Sequence, residues 1–104
     1  MPFNKLNPAQ DERLALLIEE CGEVIQAAAK ILRHGYESYN PTVPVEKRIT
    51  NRVALEWEIG DLLYILELLK GGEDICEENC FARMVEKERA IQPYLHYQPR
   101  LSDD

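Results

Sequence analysis

One apolar pattern constrains the fold of this chain more than any other feature: hydrophobic residues recur every three or four positions through a long stretch near the start. The series is Leu14, Leu17, Ile18, Cys21, Val24, Ile25, Ala28, Ile31 and Leu32. Such spacing lines one side of an α-helix. Asn7-Pro8 is a typical helix start, and Gly35 is a typical residue after a helix end. The pattern therefore predicts a helix of about seven turns between these two signals.

The remainder of the chain predicts two further helices. A second helix is expected to start between Val45 and Asn51 and to end at Lys70, before a pair of glycines. A third is expected from about Asp74 to Ile91, before a proline. No segment shows sustained alternation with period two, which a half-buried strand would require. The predicted fold class is all-α: a helical bundle of two long antiparallel helices plus a third helix.

The 104 residues fit a single domain over 1–104. Its core is expected over about 8–91, and 92–104 is expected to be a tail that packs loosely or frays. An apolar fraction of 45% is enough for a real core. A chain this short buries only a modest fraction of its surface alone, so self-association would help it.

Charge and cysteine content exclude several functional classes. The net charge of −7 argues against binding to a nucleic-acid polymer or an anionic membrane, both of which need a basic face. The first residues contain no apolar segment typical of a signal peptide, and no apolar run reaches the 18 residues of a membrane span. The three cysteines, Cys21, Cys76 and Cys80, form no CxxC pair and are poorly spaced for zinc. We therefore expect the cysteines to be reduced thiols and the protein to be cytoplasmic.

Acidic residues interrupt the first predicted helix on the side opposite its apolar stripe. Glu19, Glu20 and Glu23 fall within an arc of about 100°. Leu16 and Ala27 project into the same arc, which indicates that this side is partly covered. An acidic trio of this kind is usually a solvated helix face, and on its own it is weak evidence for a site.

The second acidic group is more informative because it lies in a helix that is apolar all round. Such a helix is expected to be buried on several sides. Glu58 and Asp61 share one face of it, and Gly60 between them suggests a backbone that another element approaches closely. Buried carboxylates must be paired or must bind a cation. If the two helices pack antiparallel, both acidic groups face one another, and all-oxygen ligation favours Mg²⁺ or Mn²⁺.

The two acidic stretches together carry a resemblance. EECGE, residues 19–23, matches EExxE, and EIGD, residues 58–61, matches ExxD. This ordered pair on consecutive long helices resembles the MazG-like, all-α nucleoside triphosphate pyrophosphohydrolases. The resemblance covers roughly Leu14 to Leu69, and the spacing between the motifs is longer than in the most compact members.

The resemblance implies an Mg²⁺-dependent hydrolase, with Mn²⁺ as a possible substitute, that cleaves a (d)NTP to the monophosphate and pyrophosphate. It also implies assembly as a homodimer or a tetramer. By position, the metal ligands would be Glu20, Glu23, Glu58 and Asp61. The catalytic candidates are Glu19, as a ligand or as the base that orients the attacking water, and Glu23.

The candidates for contact with the substrate are Lys30, Asn51, Arg33 and Tyr36. Lys30 lies on the acidic side of the first helix and could stabilise the pyrophosphate leaving group. Lys30 and Arg33, with the neighbouring His34, could equally complement the carboxyl end of the helix. Tyr36 and Tyr39 could cover a base or could simply pack.

Two expectations concern the core. Trp57 is expected in the core or a subunit interface rather than against a base, because it lies within the apolar helix. Cys80, Phe81 and Met84 are expected to form the core face of the third helix.

Three alternatives remain open. Phosphoribosyl-ATP pyrophosphohydrolases have similar size and similar acidic motifs, and a dUTP- or dCTP-directed enzyme is a second possibility. The third is a helical interaction module whose acids serve solubility or bind a basic partner. A module of that kind would keep Glu58 and Asp61 on the open surface.

Overall fold

The long first helix is present, and both of its ends follow local rules. The computed structural model describes residues 3–99. Helix α1 spans Pro8–His34. The Asn7 side chain accepts a hydrogen bond from the Gln10 amide at 2.8 Å, and the Gln10 side chain accepts one from the Asn7 amide at 2.9 Å. This capping box satisfies amides that the first turn leaves free. Gly35, at φ 89°, donates to the Ile31 carbonyl at 2.7 Å and ends the helix.

Two more α-helices follow, the first after a long loop over residues 35–50 and the second after a short turn over residues 72–76. Helix α2 spans Asn51–Gly71, and the Thr50 hydroxyl caps it by accepting from the Val53 amide at 3.2 Å. Helix α3 spans Glu77–Ala90. Single-turn 3₁₀-helices cover Val45–Lys47 and Gln92–Tyr94. Residues 3–99 contain no strand, so the all-α prediction is confirmed.

Helices α1 and α2 form an antiparallel hairpin that is closed at both ends. At the loop end, the Asn51 amide donates to the Ser38 carbonyl at 2.8 Å, and the Asn51 side chain donates to the Gly35 carbonyl at 3.1 Å. At the other end, Arg13 forms a bidentate ion pair with Asp74, with distances of 2.5 and 3.1 Å. Both side chains of that pair are largely shielded, at 19% and 11% exposure. The predicted antiparallel arrangement is confirmed.

The third helix is shorter than expected and stands apart from the hairpin. It starts at Glu77 rather than Asp74, because Asp74 lies in the turn that Arg13 holds. The principal packing in the chain is between α1 and α2, and α3 has no comparable packing against either. The radius of gyration is 18.0 Å, whereas a compact domain of this length has about 13 Å. The predicted bundle is therefore present only as its first two helices.

The core of the single chain is very small. Among the described residues, the buried apolar side chains are Ala27, Ile65 and Leu69. The chain exposes 8886 Å² of surface, while a compact monomer of this size exposes about 6000 Å². The chain therefore exposes roughly 2900 Å² more surface than a compact fold of this size would.

Several burial predictions are wrong for the single chain. Helix α2 is not buried on several sides, since Trp57 and Tyr64 are 60% and 63% exposed. The expected core face of α3 is open as well; its exposed members are Cys80, Phe81 and Met84. Gly60 is not approached closely either, because an added Cβ would meet nothing within 4 Å. These errors share one cause: within residues 3–99, no other helix packs extensively on these faces.

Two further predictions concern the chain ends and membranes. Within the part of the chain that is described, no helix is long and apolar enough to cross a membrane. Of the predicted tail, residues 92–99 begin with the second 3₁₀-helix, and residues 100–104 lie outside the described part. The first two residues of the predicted domain also lie outside it.

Candidate active site

The side of α1 that meets α2 is the acidic side together with one flank of the apolar stripe, where Leu17, Val24 and Ile31 are half-buried. Leu16, Glu20 and Glu23 are half-buried there, and Ala27 is only 8% exposed. The prediction that this side is partly covered is confirmed. Because the residues at these positions recur with spacings of three and four, one continuous face of α1 contacts α2 and carries the acids into the interface.

Four carboxylates from the two helices converge at this interface. Glu20 and Glu23 come from α1, and Glu58 and Asp61 come from α2. One oxygen from each lies within 4.8 Å of the others. Each pair is spaced i, i+3, so its members project from the same helix face. The convergence expected from the sequence is confirmed. Glu19 is exposed and is not part of the group of four.

Two of these carboxylates have an oxygen that is buried and has no hydrogen-bond partner. They are Oε2 of Glu20 and Oε2 of Glu58. Buried polar atoms in native structures nearly always have a partner, so an unpartnered carboxylate oxygen is unusual. Two at one place indicate that something cationic, or a proton, is needed there.

The pKa values of the cluster also indicate that a cation or a proton is required there. The pKa of Glu58 is raised to about 7, first by a hydrogen bond shared with Glu23, then by burial and by the neighbouring negative charges. Burial also raises the pKa of Glu20, and the charges of Glu23, Asp61 and Glu19 add to the effect. In both residues, burial and the neighbouring negative charges disfavour the ionised carboxylate.

The donor set fits a hard divalent cation. It consists of carboxylate oxygens, with no thiol or imidazole in the group. Mg²⁺ binds oxygen ligands at about 2.0–2.1 Å, so opposite ligands of one ion lie about 4 Å apart. The 4.8 Å spread of the four oxygens is close to that size. Glu20, Glu23, Glu58 and Asp61 could therefore hold Mg²⁺ or Mn²⁺ after small side-chain movements.

Two adjoining cavities lead away from the carboxylates. The smaller, of about 310 Å³, is lined by Glu23, Gln26, Ala27, Lys30, Asn51, Ala54 and Glu58. The larger, of about 630 Å³, is lined by Lys30, Arg33, His34, Ser38, Tyr39, Asn40, Pro41 and Asn51. Lys30 and Asn51 line both. The larger cavity carries cationic side chains and no carboxylate, so the path runs from an acidic end to a basic end.

The predicted substrate contacts divide into two groups. Lys30, Arg33 and Asn51 line the cavities. Tyr36 lines neither of them, and its ring lies 4.3 Å beneath the guanidinium of Arg52. Arg52 in turn donates to Glu37 at 2.8 Å. Tyr36 thus packs within the loop rather than facing the cavity.

Residues that the sequence did not single out as contacts also line the larger cavity. They are Ser38, Asn40 and Pro41; His34 lines it too, as does Tyr39, which the sequence offered as a possible cover for a base. The loop folds back across the end of α1 because the Asn51 and Arg52 amides bond to the Ser38 and Tyr36 carbonyls. The Asn-Pro turn at residues 40–41 was the only sequence signal for that return.

Comparison with known proteins adds no relative. The chain matches no protein-family model, no curated protein and no solved structure. The candidate site therefore stands on its own geometry.

Proposed function

We propose that this chain is an Mg²⁺-dependent nucleotide pyrophosphohydrolase that converts a (d)NTP to the (d)NMP and pyrophosphate. The observation that carries the proposal is the pair of buried, unpartnered oxygens on Glu20 and Glu58 within the group of four carboxylates. Solvated acids on a helix surface would not be held in this way. The alternative of an interaction module is disfavoured for the same reason, since Glu58 is half-buried, although Asp61 is exposed.

Each group in the site has a role in this reaction. A bound divalent cation would neutralise phosphate oxygens and lower the pKa of a water molecule. Glu20, Glu23, Glu58 and Asp61 would hold that cation. Glu19 or Glu23 would orient the attacking water and accept its proton as the new phosphorus–oxygen bond forms. The bond to the pyrophosphate group breaks in the same displacement, and this chemistry needs charge compensation more than covalent catalysis.

The cationic cavity supports a polyphosphate substrate. Lys30 lies between the carboxylates and the larger cavity, and Arg33 lines the latter. Cationic side chains there would compensate the charge that develops on the leaving pyrophosphate. The Asn51 side chain, already fixed by its bond to Gly35, would add a neutral donor or acceptor. A chain with net charge −7 needs such a local positive region to admit an anionic substrate.

The direct test is a panel of nucleotides with pyrophosphate detection. The panel should contain the standard and common modified (d)NTPs, including dUTP and dCTP, together with phosphoribosyl-ATP. We expect Mg²⁺-dependent release of pyrophosphate from at least one member, and the member cleaved fastest identifies the base preference. A folded protein that releases none from the whole panel would contradict the proposal.

Variants of the carboxylates test the site itself. Glu23→Ala and Asp61→Ala should each abolish activity while the helical circular dichroism signal persists. Glu67→Ala is the matched control, because Glu67 is an exposed carboxylate on α2 that lies outside the group of four. Near-normal turnover in either site variant would show that the ligand assignment is wrong.

A further inference from the structure

The loop between α1 and α2 forms one wall of the larger cavity with residues 38–41. Ser38 is fixed directly, because its carbonyl accepts a hydrogen bond from the Asn51 amide at 2.8 Å. The wall then continues into a tight turn that bonds to itself, since the Val43 amide donates to the Asn40 carbonyl at 3.2 Å. These internal bonds set the shape of the turn, but they do not determine where the turn lies against the rest of the protein.

Arg48 supplies the bonds that place this turn. Its Nε donates to the Val43 carbonyl at 2.9 Å, and its Nη2 donates to the Pro41 carbonyl at 3.1 Å. Within residues 3–99, no other hydrogen bond joins residues 40–43 to the chain outside the turn. The same guanidinium lies 4.8 Å from the centre of the Tyr39 ring. A planar guanidinium can donate in its plane and stack with its face at once, so one side chain holds both the turn and the tyrosine.

Arg48 lies behind the wall rather than in it. Its side chain is half-buried and is not among the residues that line either cavity. Its carbonyl partners occupy two donors in one fixed geometry, and Tyr39 covers one face of the group. The structure thus gives Arg48 contacts with the wall and none with the space where a ligand would lie.

Arg52 makes similar contacts elsewhere in the same loop. Its guanidinium lies 4.3 Å from the centre of the Tyr36 ring, and its Nε donates to Glu37 at 2.8 Å. None of these three residues lines either cavity. The loop therefore contains two arginine–tyrosine stacks, one directly behind the cavity wall and one apart from it. Comparing them separates the effect of the wall from the general effects of charge and stacking.

We infer that Arg48 is a positioning residue for the nucleotide: it holds Tyr39 and the 40–43 turn in the place that shapes the larger cavity, and it touches no ligand itself. This inference rests on the proposed function, which places the substrate in that cavity. A loop segment that is not held samples many conformations, and ordering it when a ligand binds lowers the affinity. A wall that is already ordered removes this penalty.

The first experiment measures how firmly the wall is held, and it needs no substrate. Chymotrypsin cleaves after tyrosines, at a rate that follows the fraction of molecules in which the segment is open. In Arg48→Gln, cleavage after Tyr39 should be at least about tenfold faster than in the unmodified chain, because two hydrogen bonds and a stacking contact are lost. Cleavage after Tyr36 should change little, and Arg52→Gln should show the reverse pattern. An unchanged rate after Tyr39 in Arg48→Gln would overturn the inference.

The second experiment asks whether the held wall serves the substrate. It measures steady-state pyrophosphate release with the preferred nucleotide, in variants that keep the helical circular dichroism signal. Arg48→Gln should raise KM about tenfold and leave kcat within about twofold, because the wall binds the ground state and the transition state alike. Arg52→Gln is the matched control, since it removes the same charge and a similar stack, and it should leave both constants unchanged. An equal rise of KM in the control would show that the cavity wall is not the cause.

Two further variants separate position from charge. Arg48→Lys keeps the positive charge but loses the planar fork, so KM should stay raised at least about fivefold. A normal KM in this variant would show that Arg48 acts through its charge, and the positioning role would be wrong. In a Tyr39→Ala background, Arg48→Gln should raise KM by a smaller factor than in the unmodified chain, because part of its effect passes through this ring. Equal factors in the two backgrounds would contradict that coupling.

The two readouts distinguish a failure of this inference from a failure of the proposed function. If the unmodified chain releases no pyrophosphate from any nucleotide, the proposed function is wrong and the role of Arg48 in nucleotide binding is wrong with it, while the chymotrypsin rates still decide whether Arg48 holds the loop. If the chain is active and Tyr39 is cleaved faster in Arg48→Gln, yet KM is unchanged, the inference alone is wrong.

Discussion

Glu58 shows most clearly how the carboxylate cluster affects the stability of the folded protein. Its pKa is about 7 in the folded chain, against an ordinary value of 4.5. The folded state therefore binds this proton more tightly than the unfolded state does. The contribution to stability is fully present below about pH 4.5 and is lost as the pH rises through about 7. Glu20 shifts in the same direction for related reasons.

We therefore expect the metal-free protein to become less stable between pH 5 and pH 8. Urea denaturation in the presence of a chelator should show a falling free energy of unfolding across this range. In Glu58→Gln the fall should be much smaller, since the amide cannot ionise. Glu56→Gln is the control, because Glu56 is an exposed carboxylate two residues away, and it should keep the dependence of the unmodified chain. Equal slopes in all three proteins would contradict the burial argument.

Two tyrosines provide a matched test of the cavity. Tyr36 and Tyr39 are each 47% exposed, and each lies beneath an arginine side chain, with distances of 4.3 and 4.8 Å. Only Tyr39 lines the larger cavity. If the nucleoside occupies that cavity, Tyr39→Ala should raise KM about tenfold through the loss of an aromatic contact. Tyr36→Ala should change KM little. The measurement is steady-state pyrophosphate release with the preferred nucleotide, and a larger effect at Tyr36 would exclude this location for the nucleoside.

Single residues differ in how far the sequence could predict them. Glu20, Glu23, Glu58 and Asp61 were predictable as a group, because i, i+3 spacing on two antiparallel helices determines where they point. Which of Tyr36 and Tyr39 lines the larger cavity was not predictable. It depends on how the loop returns across α1, which is decided by hydrogen bonds between residues 13 to 16 positions apart in the sequence, such as those from the Asn51 and Arg52 amides.

At the scale of elements, the Arg13–Asp74 ion pair fixes how the chain leaves α2. Its partners lie 61 residues apart and make two hydrogen bonds. The guanidinium of Arg13 lowers the pKa of Asp74, so the pair stabilises the fold at neutral pH and this contribution is lost as the pH falls below the ordinary value of 3.8. Gly72 leaves room for the arginine, since a Cβ there would lie 2.5 Å from Arg13 Cζ.

We expect Asp74→Asn to lower the melting temperature by several degrees, because it leaves a shielded guanidinium without its counter-charge. Glu86→Gln is the control: it breaks an ion pair with Arg83 whose side chains are 66% and 69% exposed, and pairs of that kind contribute little. Thermal unfolding followed by circular dichroism provides the comparison. A fall in Glu86→Gln as large as that in Asp74→Asn would show that Arg13–Asp74 has no special role.

The limits of α1 and the end of α2 were predictable to within a residue or so from caps, prolines and glycines, because those signals act locally; the start of α2 was predicted only as lying between Val45 and Asn51, and it is at Asn51. The start of α3 and its separation from the hairpin were not. They depend on the long-range pair between Arg13 and Asp74, and neither residue carries a local signal of its partner. Periodicity showed which faces of each helix were apolar but not which element would cover them.

At the scale of the molecule, the hairpin packs α1 through its acidic side and one flank of its apolar stripe, and six of the nine stripe residues stay exposed. With the apolar faces of α2 and α3 open as well, an apolar fraction of 45% yields only three buried apolar residues among those described. Such a small core stabilises a single chain weakly, since the loss of chain entropy on folding is proportional to length and the burial that offsets it is missing. Folding and association should therefore be coupled.

Coupling predicts that stability depends on protein concentration. For a dimer that dissociates as it unfolds, a hundredfold rise in concentration stabilises the folded state by about 2.7 kcal/mol. With ordinary denaturant slopes, the urea midpoint should rise by about 1 M between 1 and 100 µM chain. The measurement is urea denaturation followed by circular dichroism at 1, 10 and 100 µM. Ile25→Glu, which places a carboxylate on the exposed part of the α1 stripe, should unfold at low urea with a midpoint that does not depend on concentration. Val45→Glu, at a position that is 73% exposed but lies in the loop, is the control and should show the same rise as the unmodified chain. A midpoint independent of concentration in the unmodified chain would mean that the hairpin folds alone, despite a core of three residues.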